Sequence, residues 1–146
     1  MSQAQKPSST RRLEFLFPTR FHLFDQIATA DFGAEPYLVH SIYPGWYLRK
    51  GRFSRLAEHN RTLWLGGCGY LLWRLSKKTG LPRRLQLFCR KLYIRACEME
   101  FCFKVRNSRD STLVTSAGYL GTSLKHLKDR GNTMMVNHGS LYERFV

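Results

Sequence analysis

Short apolar segments alternate with stretches of helical periodicity along this chain. Four of the apolar segments are bounded by turn residues and predict buried strands: residues 14–17, 37–42, 111–115 and 132–136. Apolar residues recur at helical spacing over residues 21–30 and 119–130, which predicts a helix within each pair of strands. Strand–helix–strand units of this length form parallel sheets with helices on their faces. The sequence therefore predicts an α/β fold, a Rossmann-like three-layer domain with a mostly parallel sheet.

The middle of the chain has a less regular pattern. Residues 45–82 mix aromatic and basic side chains, and glycines at positions 66, 67 and 69 interrupt them, which predicts one or two short helices with loops. Pro82 suits the first turn of a long helix that runs to about Val105. One face of that helix carries Leu85, Cys89, Leu92, Ala96, Met99 and Phe103, and a stripe almost opposite carries Leu87, Ile94 and Phe101. Two apolar stripes predict a helix that is covered on two sides.

The chain has the length of one domain and a large excess of positive charge. Its 146 residues are 43% hydrophobic, which is enough for one core, and we place the domain over residues 13–146 after a disordered polar tail at residues 1–12. The formal net charge is +14. Residues 36–97 contain thirteen lysines and arginines and one acidic residue, Glu58. This field attracts anionic partners, namely nucleic acid, an acidic membrane surface or phosphorylated small molecules.

The cysteines show no spacing that is typical of a metal site. They are Cys68, Cys89, Cys97 and Cys102, without a Cys-x-x-Cys pair or a cysteine–histidine pattern. They predict buried free thiols and a reducing compartment. The longest apolar stretch, residues 63–73, is much shorter than the roughly 20 residues that a membrane-spanning helix needs. The expected location is the cytoplasm, with the protein soluble or peripheral to a membrane.

The loop after the last predicted strand is the leading candidate for chemistry. His138 follows that strand, and Gly139 and Ser140 precede a helical pattern. Glycine allows close approach of a ligand, Ser140 can cap the helix, and the free N–H groups of the helix favour an anion. His138 could donate a proton to a substrate hydroxyl or accept one from it. The alternative is a turn with a capping serine and a structural histidine.

Two other strand-to-helix loops are weaker candidates. Arg20 could hold a phosphate or carboxylate and His22 could bond a ligand, although His22 could equally cap the helix or pack against it. Their loop lacks the G-x-G-x-x-G pattern of a dinucleotide site. Gly118 lies in a loop that could be an ordinary tight turn. The histidines without partners at catalytic spacing are predicted to be structural or exposed: His40, His59 and His126.

Four segments, taken in order, resemble the amino-terminal half of a family 4 (GT-B) glycosyltransferase. They are residues 17–25, Ser-Ile-Tyr-Pro at 41–44, Ser-Ala-Gly-Tyr at 116–119 and Met-Val-Asn-His-Gly-Ser at 135–140. The resemblance covers residues 13–146. It implies the acceptor-binding domain of a two-domain enzyme of polysaccharide biosynthesis, which transfers a sugar from a nucleotide-diphosphate sugar to a glycan or lipid-linked acceptor. Such enzymes usually need no bound metal and commonly sit against the inner membrane face, which the basic residues would favour.

The resemblance also implies roles for individual residues. The expected substrate-binding residues are Thr19, Arg20, His22, Gly118, Gly139 and Ser140. His138 matches a position where relatives often have a histidine near the sugar and the acceptor. Its expected catalytic role is to orient or deprotonate the acceptor hydroxyl.

The chain departs from the family pattern in two ways. The first loop reads Pro-Thr-Arg where relatives often have glycines, and the donor-domain pair of glutamates, eight positions apart, has no counterpart. Groups that stabilise the leaving nucleotide would supply the largest catalytic term. The chain is therefore predicted to be inactive alone, as a truncated product or as one half of a split enzyme with a separate donor-binding polypeptide.

Two alternatives from other classes stay open. Aromatic and arginine side chains between residues 43 and 95 are compatible with stacking on single-stranded nucleic acid. Against this, they occur at core-like spacing, and no RNP, KH or helix-turn-helix pattern is present. The same positive charge could instead hold a membrane-peripheral scaffold on an anionic surface.

Overall fold

The computed structural model describes residues 12–17, 27–33, 36–106, 111–116 and 133–137. The strands are β1 (Arg12–Leu16), β2 (Tyr37–Ser41), β3 (Asn60–Thr62), β4 (Ser111–Ser116) and β5 (Thr133–Asn137). The helices are α1 (Gly45–Leu48), α2 (Ser54–Ala57), α3 (Trp64–Lys78) and α4 (Arg83–Val105). Residues 27–29 are also helical. All four predicted strands are present within a residue or two of their expected bounds, and β1 begins one residue inside the predicted tail.

The strands form one sheet in the order β3-β2-β1-β4-β5, and each neighbouring pair is parallel. Phe15 pairs with Val39 on one side and with Val114 on the other, so β1 lies at the centre. The chain moves outward from β1 to β3 and then crosses to β4 and β5. The direction of winding therefore reverses between β1 and β4. This is the order of a Rossmann-like doubly wound sheet, which confirms the predicted fold class.

Consecutive side chains of a strand point to opposite faces of the sheet, and each face is covered by a hydrophobic core. In β1, Leu16 contributes to one core while Phe15 contributes to the other. The core on the α4 side contains Leu16, Ile42, Leu63, Tyr93, Cys97, Phe101, Val105 and Leu113. The core on the side of α1, α2 and the helical residues 27–29 contains Phe15, Phe17, Ile27, Ala28, Val39, Leu48 and Leu56. The sheet is thus the middle layer of three.

Helices α3 and α4 pack together as an antiparallel pair at close range. A methyl group added at Gly66 would lie 2.5 Å from the Cys97 sulfur, and one at Gly69 would lie 2.9 Å from Cα of Tyr93. Trp73, one turn further along α3, stacks on Tyr93 with ring centroids 5.8 Å apart. The glycines therefore allow a close helix contact inside one 15-residue helix and do not interrupt it. The prediction of short helices in this region is correct for α1 and α2 and wrong for α3.

The edge strand β3 is not predicted by the sequence pattern. Its three residues, Asn60–Thr62, are polar or charged and show no apolar alternation. They form a strand because their backbone pairs with β2 over residues 39–41. Long-range pairing, and not local pattern, produces this element.

Helix α4 confirms one prediction and contradicts another. It begins directly after Pro82 and runs to Val105, as expected from the sequence. The expectation that it is covered on two sides is wrong, because Leu85, Leu92 and Met99 are exposed. The buried side of α4, which includes Phe101 of the second stripe, faces the sheet and α3, so much of the first stripe is open to solvent.

The glycine contact between α3 and α4 makes a stability prediction. Gly69→Ala should lower the free energy of unfolding by about 1–3 kcal/mol, because the new methyl group meets the backbone of α4 and the helices must separate. Gly67→Ala is the matched control in the same helix, where the nearest atom to the methyl is 3.8 Å away. That substitution should raise stability by about 0.5–1 kcal/mol through helix propensity. Urea unfolding followed by circular dichroism measures both, and equal effects would contradict the close packing.

Candidate functional site

Ligands of doubly wound sheets bind at the carboxyl ends of the strands, near the point where the strand order reverses. In this sheet that point lies between β1 and β4. Leu16 pairs with Thr115, and Ser116 pairs with Asn137, so β1, β4 and β5 end at a common edge. β2 ends beside them, with His40 paired to Leu16. A ligand site is therefore expected along this carboxyl edge.

The site residues predicted from the sequence all lie outside the described residues: Thr19, Arg20, His22, Gly118, His138, Gly139 and Ser140. Described residues closely precede the three loops that carry them. These residues are Phe17, Ser116 and Asn137, and they stand at the ends of β1, β4 and β5. The backbone therefore enters the three loops from one edge of the sheet, as predicted. The roles of the loop residues stay predictions.

The described part of the carboxyl edge contains an open cleft of about 360 Å³. The cleft begins at Tyr43, two residues beyond the end of β2, and continues through α1 and the turn after it. Its lining consists of Tyr43, Tyr47, Leu48, Lys50, Gly51, Arg52 and Phe53. The sequence pattern singles out only Tyr43 among them, as part of the Ser-Ile-Tyr-Pro segment.

Hydrogen bonds from two strands hold the backbone of Tyr43. The side-chain amide of Asn60 donates to the Tyr43 carbonyl oxygen at 2.8 Å, and the Thr62 hydroxyl donates to the same oxygen at 3.3 Å. The Ser41 hydroxyl donates to Asn60 Oδ1 at 2.6 Å and accepts a bond from the Tyr43 N–H at 3.3 Å. Tyr43 is thus positioned by β2 and β3. Such support suits a side chain that has to meet a ligand in a fixed orientation.

Aromatic rings and cationic groups lie together around this cleft. Tyr43 and Tyr47 stack with ring centroids 5.6 Å apart and planes 16° from parallel. The Arg52 guanidinium lies 5.1 Å from the centre of the Phe53 ring, and Lys50 adds a second cation to the lining. Aromatic faces can pack against the apolar face of a ring-shaped ligand. Because arginine and lysine bind phosphate and carboxylate oxygens, the cleft suits a ligand with a ring and an anionic group.

Of the three histidines that are predicted to be structural or exposed, two lie among the described residues. His40 is 2% exposed, and its Nε2 lies 3.0 Å from Glu14 Oε2. His59 is half-buried, with its ring centre 4.1 Å from that of Tyr37. His126 lies outside the described residues. The Glu14–His40 pair is not predictable from the sequence, because 26 positions separate its members and no motif connects them.

The cysteines agree only in part with the prediction of buried thiols. Cys89 and Cys97 are buried, whereas Cys102 is half-buried and Cys68 is exposed; none of the four forms a disulfide. The prediction is therefore confirmed for the first two and wrong for Cys68. Burial, followed by the charge of Glu100, raises the pKa of Cys97 to about 12. This thiol stays protonated at neutral pH and is a poor nucleophile.

Comparisons with protein-family models, with curated proteins and with solved structures find no match to this chain. In the part of the chain that the structure describes, no group of three or more His, Cys, Asp or Glu side chains is arranged to hold a metal ion. The helices in the same part are all too short or too polar to cross a membrane.

Proposed function

We propose that this chain is the acceptor-binding half of a glycosyltransferase, which transfers a sugar from a nucleotide-sugar donor to a glycan or lipid-linked acceptor. The observation that carries the proposal is the cleft of stacked tyrosines and cations at the carboxyl edge of a Rossmann-like sheet. Tyr43 stands in this cleft and belongs to one of the four segments that resemble family 4 enzymes. The other three segments contain or border the ends of β1, β4 and β5, which meet at the same edge.

The chemistry of the cleft suits an acceptor of this kind. A pyranose ring has an apolar face of C–H groups that can pack on the exposed ring of Tyr47, which adds burial to hydrogen bonding. Arg52 and Lys50 can bind the phosphate groups of a lipid-linked acceptor through charge-assisted hydrogen bonds. In this proposal His138 orients or deprotonates the acceptor hydroxyl. A separate donor-binding polypeptide supplies the groups that bind the nucleotide diphosphate.

The proposal predicts that the cleft binds a sugar linked to a diphosphate. The probe is a short isoprenyl diphosphate carrying N-acetylglucosamine, and isothermal titration measures its affinity. Arg52→Gln should weaken binding about tenfold or more, because a hydrogen bond between charged groups contributes about 1.5–3 kcal/mol. Tyr47→Ala should weaken it to a similar extent through loss of the stacking surface.

Arg55→Gln is the matched control, because Arg55 is an exposed arginine of α2 outside the cleft lining. It should bind the probe as the unmodified chain does. The acceptor proposal fails if the probe does not bind, or if all three variants bind it equally well.

A second candidate function, attachment to an anionic membrane surface, is favoured by the outer side of α3. Trp64, Leu71 and Leu75 follow one another at helical spacing, and each is more than half exposed. The opposite side of α3, which includes Gly66 and Trp73, packs on α4. The apolar stripe of this helix therefore faces away from the protein core. Surface helices with exposed tryptophan and leucine beside basic residues bind in the plane of a membrane interface.

The charges around this stripe have the sign that such attachment requires. Residues 59–97 contain no acidic residue. Their basic residues are Arg61, Arg74, Lys77, Lys78, Arg83, Arg84, Arg90, Lys91 and Arg95. A basic residue close to an anionic leaflet contributes about 1 kcal/mol to binding. A location at the inner membrane face would also place a lipid-linked acceptor beside the enzyme.

The membrane proposal predicts sedimentation with vesicles that contain phosphatidylglycerol and little sedimentation with phosphatidylcholine alone. The double variant Leu71→Ser, Leu75→Ser should lower the partition coefficient about tenfold or more, because burial of each leucine contributes about 1.5–3 kcal/mol. Leu87→Ser, at an exposed leucine of α4, is the control. Equal binding of both variants would contradict a role for α3. Retention on single-stranded RNA without vesicle binding would favour the nucleic-acid module instead.

A further inference from the structure

A second cleft, of about 300 Å³, lies on the face of the sheet that α4 covers. Its lining consists of Arg12, Glu14, Leu38, His40, Arg61 and Lys104. The register places the five strand residues of this set on one face, because Glu14 pairs with Leu38 and His40 pairs with Arg61. Helices α1 and α2 lie on the other face. This cleft is therefore separate from the one at Tyr43.

A buried acid–histidine pair forms the inner wall of this cleft. Glu14 is 1% exposed and His40 is 2% exposed, with 3.0 Å between Oε2 and Nε2. The Ser111 hydroxyl donates to Glu14 Oε1 at 3.4 Å, and the edge of the His40 ring meets Phe101 at 4.9 Å between centroids. These contacts fix both side chains. His40 Nδ1 is buried and has no hydrogen-bond partner among the described residues, which is uncommon for a buried ring nitrogen.

Cationic groups form the outer rim of the cleft. Arg12 and Arg61 are exposed, and both line the cleft, Arg12 from the start of β1 and Arg61 from the edge strand β3. Lys104 Nζ donates to the carbonyl oxygen of Thr62 and lies 3.4 Å from Glu100. Glu100 accepts hydrogen bonds from the first backbone N–H groups of α3. The positive end of the helix dipole therefore compensates part of the negative charge of this carboxylate. Among the described residues of the lining, three cations thus outnumber the carboxylate of Glu14.

We propose that this cleft binds the phosphate group of a small soluble molecule. Two guanidinium groups can each donate paired hydrogen bonds to phosphate oxygens, a geometry that chloride cannot use. A phosphate monoester carries a charge of about −1.5 to −2 at neutral pH, which matches the excess positive charge of the rim. The buried pair keeps the inner wall polar and rigid, so the ligand meets a formed site.

Thermal unfolding of the full chain tests this site, with sodium phosphate and glycerol 3-phosphate as probes. Both should raise Tm by about 5–10 °C at a hundredfold excess over Kd, relative to sodium chloride at equal ionic strength, because that excess stabilises the folded state by about 2.7 kcal/mol. Arg12→Gln and Arg61→Gln should each weaken the apparent affinity about fivefold or more. Arg74→Gln, at an exposed arginine of α3 outside the cleft, should leave it unchanged.

The imidazole signals of His40 in a nuclear magnetic resonance titration give a second readout that does not depend on stability. They should shift with phosphate in the unmodified chain and in Arg74→Gln, and should shift less in Arg61→Gln. The proposal is overturned if chloride stabilises as much as phosphate, or if Arg61→Gln and Arg74→Gln respond alike. Binding to vesicles of phosphatidic acid without any response to the soluble phosphates would also overturn it.

Discussion

A parallel sheet has to be covered on both faces, because the helices that connect its strands pack on them, and this constraint organises the whole molecule. Three consecutive side chains at the end of β1 and just after it, those of Phe15, Leu16 and Phe17, are buried. They alternate between the two cores. Their burial requires α4 on one side and the shorter helices on the other. The charged residues consequently lie mainly on the outer sides of the helices and at the rims of the clefts.

The same constraint explains why α3 has an unusual surface. Helix α4 lies against the sheet, and α3 reaches the core beside it through Gly66 and Gly69, whose lack of side chains allows the close contact. A helix held by one face has its other faces in solvent. In α3 the outer face includes Trp64 and Leu71, and residues 59–97 contain no acidic residue, although Glu100 of α4 accepts hydrogen bonds from the first N–H groups of α3. An apolar, cationic surface of this kind is the physical basis for the proposed membrane contact.

The sequence predicts the strands of this fold well because the central strands are apolar runs bounded by turn residues. The run at β1 and the helix after Pro82 are examples in which local pattern and tertiary structure agree. It does not predict β3, whose polar residues become a strand only by pairing with β2. It also misjudges the glycines of α3, since local propensity disfavours glycine in a helix while the packing on Tyr93 requires it.

The candidate sites are predictable to a smaller extent, because they depend on contacts between distant positions. The Tyr43 carbonyl accepts a hydrogen bond from Asn60, 17 residues further on, and no local motif predicts that bond. The Glu14–His40 pair likewise joins two strands. In contrast, the edge at which the loops begin follows from the strand pattern alone. The direction of the strands, and hence the edge at which they end, is therefore predictable from the sequence, whereas the side chains that line each cleft are not.

The central claim is that the acceptor binds at the carboxyl edge of the sheet. Backbone amide spectra of the isotopically labelled chain, recorded during titration with the isoprenyl diphosphate sugar, test it most directly. The signals that shift most should be those of Tyr43, Tyr47 and Arg52, and the signals of β3 should shift less. Shifts confined to the α3 surface, or spread evenly over the basic residues, would contradict it.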